Sequence, residues 1–272
     1  MSKDILYGVK LVILEEIDKV TQEVVPDGVT CRIDTAESVE MEAVISEGTE
    51  ESTRNDNKIL AIVRTPDLLY GYDLTLKDNT FDPEIAGLIE GGVVKKANGV
   101  VTGYRSPMLS EGASKMKSFR ANFYIANYEG DSIKNYVKMT CNNCSGTAPS
   151  FSGAKEFYTP EFTIKAREAT KANLPIKSME YVDELPAAPQ PKILSISIGT
   201  LEEDSITGIP RTTTVAQLLN ATYASFGASK KVVDASGNDK ETGTITATDK
   251  LVVYILEDEE NKKEYTLTIQ GG

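Results

Sequence analysis

The residues that could do chemistry are few. Cys141 and Cys144 form a C-x-x-C, the spacing of a redox pair or of half a zinc site. A redox pair sits at a helix start, where the dipole lowers a thiol pKa. Here Thr140, Asn142, Asn143, Ser145 and Gly146 flank the thiols and read as a strand end and a turn, so the pair is expected to be two small loop residues. Only Cys31 remains as a further thiol, too few for a zinc site or a disulfide framework. The chain has no His, which excludes imidazole-based triads and zinc ligation by imidazole. Carboxylates recur in pairs and runs: Glu15/Glu16, Glu40/Glu42, Glu50/Glu51, Glu202/Glu203 and Glu257 to Glu260. Glycoside chemistry needs two carboxylates at a set separation across a cleft, whereas runs of this kind are ordinarily solvated faces. Asp234-x-Ser236-x-Asn238 around Gly237 lacks the ligand pattern of a calcium loop and reads as a hairpin turn. Gly91-Gly92 and Gly99-x-x-x-Gly103 lack the strand–loop–helix setting of a phosphate loop. No coherent active site emerges, and no metal or cofactor is expected.

The elements that would carry these residues are mostly strands. Val39, Met41, Ala43 and Ile45 share one face of an extended segment, with Glu40 and Glu42 on the other. Similar patterns run over Tyr7 to Ile13, Ile59 to Val63, Tyr72 to Leu76, Phe119 to Ile125, 136–140 and Phe162 to Ala166. Ser46 to Lys58 is polar and aperiodic, and reads as a long loop. One helix is signalled by Asp82 as cap, Pro83 at the first position, Ile85, Leu88 and Ile89 on one face, and Gly91-Gly92 as the stop. Residues 186–191 (PAAPQP) mark a stiff linker, dividing the chain into domains 1–185 and 192–272. The second has strand signals at Leu194 to Ile198, Leu251 to Leu256 and Tyr265 to Ile269, and a short helix over 214–222 capped by Thr214. The predicted class is therefore mainly β: an antiparallel sandwich or barrel with one short flanking helix, then a small α+β or Ig-like module.

The 272 residues carry a net charge of −12, unfavourable for gripping phosphates. Residues 1–90 hold 8 Lys and Arg against 20 Asp and Glu, residues 91–185 hold 13 against 9, and residues 186–272 hold 8 against 12. Such asymmetry suits a subunit that meets its copies head to tail. Gly8, Lys10 and then Glu15 and Glu16 break the first apolar stretch, so neither a signal peptide nor a membrane span is expected.

Residues 80–94 (TFDPEIAGLIEGGVV) resemble the helix-and-glycine segment of siphophage major tail proteins. The polar loop and strand 72–77 before it, and SFRANFYIANYEG and FYTPEFTIKARE after it, follow the same order over roughly residues 1–185. The resemblance implies a non-enzymatic virion subunit, made in the host cytoplasm. Such subunits form hexameric rings that stack into a tail tube, with strands of all six closing one inner barrel. Double-stranded DNA and the tape measure protein occupy the lumen without specific binding, and terminator and distal tail proteins meet the tube ends. On this reading Glu40 and Glu42 are the candidate lumen-facing acids, segment 46–58 orders on ring stacking, and the C-terminal module decorates the exterior. A surface or adhesion protein of β-modules, and a tail terminator or hub protein, remain as alternatives. A carbohydrate-active enzyme would call for aromatic platforms that usually include Trp, which is absent.

Overall fold

The computed structural model describes residues 4–26, 28–56, 58–97, 100–108, 110, 117–147, 149, 158–188, 190–225, 227–255 and 258–270. The chain runs β1 (Ile5–Ile17), β2 (Thr30–Ile33), β3 (Ala36–Ser46), β4 (Glu50–Asn55), β5 (Lys58–Arg64), β6 (Leu68–Asp78) and α1 (Pro83–Glu90). It continues through β7 (Val93–Ala97), β8 (Val100–Arg105), β9 (Ser118–Glu129), β10 (Ser132–Gly146), β11 (Glu161–Arg167) and β12 (Lys177–Val182). The last part holds β13 (Ile193–Ile196), β14 (Thr200–Leu201), β15 (Ser205–Ile209), α2 (Val215–Ala221), β16 (Thr222–Ala224), β17 (Ala228–Val233), β18 (Lys250–Ile255) and β19 (Asp258–Ile269). The protein is mainly β with largely antiparallel sheets, the class expected. It divides into two compact units: residues 1–24, 33–81 and 117–184, and residues 25–32, 82–116 and 185–272.

In the first unit seven strands pair in the order β1-β9-β10-β11-β6-β3, with β12 on β10. The core is apolar and tightly covered: Leu11, Val12, Leu14, Leu74, Leu76, Phe119, Phe123, Phe162 and Ile164 are all essentially inaccessible. β11 shows the half-buried pattern read from its sequence, with Phe162, Ile164 and Ala166 buried and Thr163 and Lys165 exposed. β9 departs from it. Its polar-looking face is covered too, so Asn122 and Tyr124 are buried along with Phe119, Ala121 and Phe123. The buried amide is satisfied: Asn122 Nδ2 donates to Glu15 Oε2 at 2.8 Å, and its Oδ1 accepts from Thr140 Oγ1 at 2.9 Å.

The segment expected to be a loop, Ser46 to Lys58, is largely strand. Glu50–Asn55 pairs antiparallel with Lys58–Arg64 as a two-stranded ribbon. Glu50 and Arg64 close its base with an ion pair at 2.6 Å, and Asp56 takes a positive φ of 47° near its tip. The ribbon is solvated along its length, so no burial selects alternating residues and the sequence carries no period of two. Asn57 lies outside the described residues.

In the second unit α1 begins and ends where its sequence indicates. The Asp82 side chain accepts from Glu84 N at 2.7 Å, Pro83 opens the helix, and Gly91 takes the left-handed conformation at φ 80°. Beside it β7 and β8 form a hairpin; Gly99 lies outside the described residues. Ile193, Ile206, Ile209, Val215, Leu218, Leu251, Val253 and Tyr265 belong to a further core, between α2 and the sheet β14-β15-β19-β18-β17. The buried Tyr265 hydroxyl accepts from Ile193 N at 2.9 Å. α2 carries a capping box between Thr214 and Gln217. β13 stops at Ile196, short of the expected Ile198, ahead of Gly199 at φ 82°. Leu256 lies outside the described residues, as does Pro189 of the Pro-rich segment.

Candidate assembly surface

β3 ends the sheet of the first unit, so one side of an 11-residue strand has no hydrogen-bonded neighbour among the described residues. An edge of this length exposes a row of backbone donors and acceptors to any strand that can reach it. Register fixes what its faces carry. Glu40 lies opposite Thr75 and Glu42 opposite Asp73, while Val39 and Met41 lie opposite Leu76 and Leu74. Thr75 and Asp73 lie in turn opposite Thr163 and Lys165 of β11. Paired residues share a face, so Glu40, Glu42, Asp73, Thr75, Thr163 and Lys165 form one polar surface over three strands.

Both candidate acids thus sit together on that surface, and both are exposed. Asp73 is held by Arg167 at 3.2 Å, and Lys77 lies 3.7 Å from Glu161. Glu40 and Glu42 have no ion pair to a described residue, which leaves their charge facing solvent.

Beyond Ser46 the same edge passes into the β4-β5 ribbon, and here the surface becomes apolar. Ile59, Leu60, Ile62 and Val63 are 47, 59, 47 and 67% exposed. Ile45 on β3 and Leu68, Leu69 and Tyr70 on β6 are also exposed, and they connect the ribbon to the sheet. Leu68 and Leu69 lie opposite Ser46 and Ile45. Eight large apolar side chains in one strand-rich region exceed the scattered single residues of an ordinary surface. Sequence reading found the strand at Ile59 to Val63 and missed its exposure, because an apolar run looks the same whether buried in a protein or against a partner.

The cysteine pair is not on a loop. Cys141 and Cys144 lie inside β10, at an irregularity in its pairing with β9. Both are buried, as is Cys31, and none of the three forms a disulfide. The Cys144 thiol donates to the Cys141 carbonyl at 3.6 Å. Burial raises the Cys144 pKa well above that of an ordinary thiol, so the group stays protonated and inert. Among the described residues no group of three or more His, Cys, Asp and Glu is placed to hold a metal ion. At least one member of each of three other acidic pairs makes a structural bond: Glu16 meets Lys117 at 3.1 Å, Glu50 meets Arg64, and Glu202 accepts from Ser205 and Thr207. Glu257 lies outside the described residues, and so do the side chains of Asp258 and Glu259. Asp234 closes its own turn, accepting from Ser236 N at 2.8 Å and Asn238 N at 2.9 Å, as the hairpin reading expects. No helix is long and apolar enough to cross a membrane among the described residues.

No protein-family model matches the chain, and no curated protein matches it. Among solved structures, the cryo-EM structure of the anti-feeding prophage cap (AFP tube terminating cap) is similar at 12% identity, over 67% of this chain and 97% of that one. The TM-score is 0.28, too low for the likeness to carry an argument.

Proposed function

We propose that the protein is a non-enzymatic structural component of a phage-type tail, and more specifically a tail tube subunit that assembles into stacked rings. The observation that carries this reading is the open β3 edge continuing into an exposed apolar ribbon. A monomer gains nothing from eight exposed large apolar residues beside an unpaired edge, and risks aggregation. A ring subunit covers both, because a sheet closed through neighbouring copies has no edge left. The order of elements resembling siphophage major tail proteins supports the same reading, and hexameric rings follow from that resemblance. In such a tube Glu40 and Glu42 line the lumen and keep DNA phosphates from adhering. Tape measure, terminator and distal tail proteins are the partners, the virion is the location, and the C-terminal module lies outside.

Sedimentation velocity over a concentration series tests the role of the ribbon. The wild-type chain is expected to shift to large species, while an Ile59→Lys/Ile62→Lys variant stays monomeric with an unchanged melting temperature. A variant that assembles as the wild type does would contradict the assignment.

A further inference from the structure

A subunit that meets its copies head to tail needs two different surfaces, one for each neighbour. The β4-β5 ribbon is one such surface, and the charge at its base indicates what faces it. Glu51 lies opposite Val63 across the ribbon, so the two share a face, and Glu50 and Arg64 share the other. Glu50 is held by Arg64, whereas Glu51 is exposed and has no ion pair to a described residue. Val63 beside it is 67% exposed. Residues 47–56 hold four acids against one Arg.

The β7-β8 hairpin carries the opposite pattern. Val93 lies opposite Arg105, Val94 opposite Tyr104 and Lys95 opposite Gly103. Val94 turns to α1, where the bare backbone of Gly87 leaves room for it: a Cβ there would lie 3.0 Å from Val94 Cγ2. Val93, Lys95 and Arg105 therefore share the face directed away from the helix. Val93 is 37% exposed, and Lys95 is exposed with no ion pair to a described residue. Residues 91–110 hold three cations and no acid.

Both elements are two-stranded, and none of their strands pairs outside its own hairpin among the described residues. Each sets a valine and a charge side by side in solvent, and the two charges are opposite in sign. Bringing the two faces together covers both valines and pairs both charges. A nucleic acid would suit the hairpin alone and leave the acidic ribbon uncovered. A second copy of this chain accounts for both, because every copy carries both.

We propose that the ribbon of one copy packs on the β7-β8 hairpin of the next, with Val63 against Val93 and Glu51 paired with Lys95. The pairing rests on the assembly role proposed for the ribbon and names its partner.

Sedimentation velocity of two charge reversals in the full chain, Glu51→Lys and Lys95→Glu, tests it, each alone and the two mixed in equal amounts at low salt. Each alone meets like charge at every contact and should raise the concentration needed for assembly about tenfold or more. In the mixture the two altered surfaces face each other, and unaltered ribbon faces unaltered hairpin. Assembly should then return to within about threefold of wild type. The two substitutions move the net charge in opposite directions, so a general charge effect does not weaken both. Melting temperatures should match wild type, because both side chains are solvated. A bismaleimide should also join a Val63→Cys chain to a Val93→Cys chain in yields that neither gives alone. Assembly of either reversal at the wild-type concentration, or a mixture no better than its parts, overturns the pairing. If Ile59→Lys/Ile62→Lys blocks assembly while both reversals assemble normally, the ribbon keeps its role and this partner is wrong. A wild-type chain that stays monomeric overturns both.

Discussion

Lys240 Nζ donates to Asp249 Oδ2 at 2.6 Å, and Asp249 is only 3% exposed. Burial raises the Asp249 pKa, but the Lys240 ammonium and the Thr246 N–H and hydroxyl outweigh it and hold the carboxyl below its ordinary value. Lys240→Met leaves that carboxylate without its cation and should cost about 3 kcal/mol in urea unfolding. Because the folded pKa is depressed, the stabilisation is fully present above the unfolded pKa of about 3.9 and is lost as pH falls through the lower folded value. Stability measured from pH 6 downward, at roughly half-unit steps around that pKa, should therefore fall less in the Lys240→Met chain than in the wild type.

The helix α1 rests on two end signals. Asp82→Ala removes the side-chain acceptor for Glu84 N and should destabilise by about 1 kcal/mol. Gly91→Ala forces a Cβ into φ 80° and should cost a similar ~1 kcal/mol. Chemical denaturation of each variant reads both values. Two neutral results would mean that packing of Ile85, Leu88 and Ile89 alone holds the helix.

These caps were legible in the sequence because capping is local: Asp82, Pro83 and Gly91 act within one turn of the backbone they satisfy. Strands with one wet face were legible for a similar reason, as Phe162, Ile164 and Ala166 show. Strand β4 was not, since a strand solvated on both faces leaves no alternation to read, and β5 was legible as an apolar strand but not as an exposed one. The second buried face of β9 was hidden because Asn122 looks like a solvent residue until Glu15 and Thr140, distant in sequence, are seen to satisfy it. The neighbourhood of Lys231, Lys250, Lys262 and Glu264 on β17, β18 and β19 was equally hidden: the four are spread over 34 positions and converge only through strand register.

The three thiols should resist modification. Cys31, Cys141 and Cys144 are buried, so a thiol reagent should label none in the native protein and all three after unfolding. Rapid native labelling of Cys141 or Cys144 would mean that β10 opens at its irregularity near the pair.

Lumen acids make a prediction of their own. Glu40→Lys/Glu42→Lys adds positive charge to an exposed face and should leave folding intact. If that face lines the conduit, assembled tubes of the variant should retain double-stranded DNA in co-sedimentation at low salt and release it as salt rises. Retention equal to wild type would place the two acids elsewhere.

Assembly itself is the central claim, and negative-stain electron microscopy of the purified full chain, dilute and concentrated, addresses it most directly. Rings with a central hole that stack into tubes as concentration rises are the expected result. Monomers alone under every condition, with no tubes in the native particle, would contradict it.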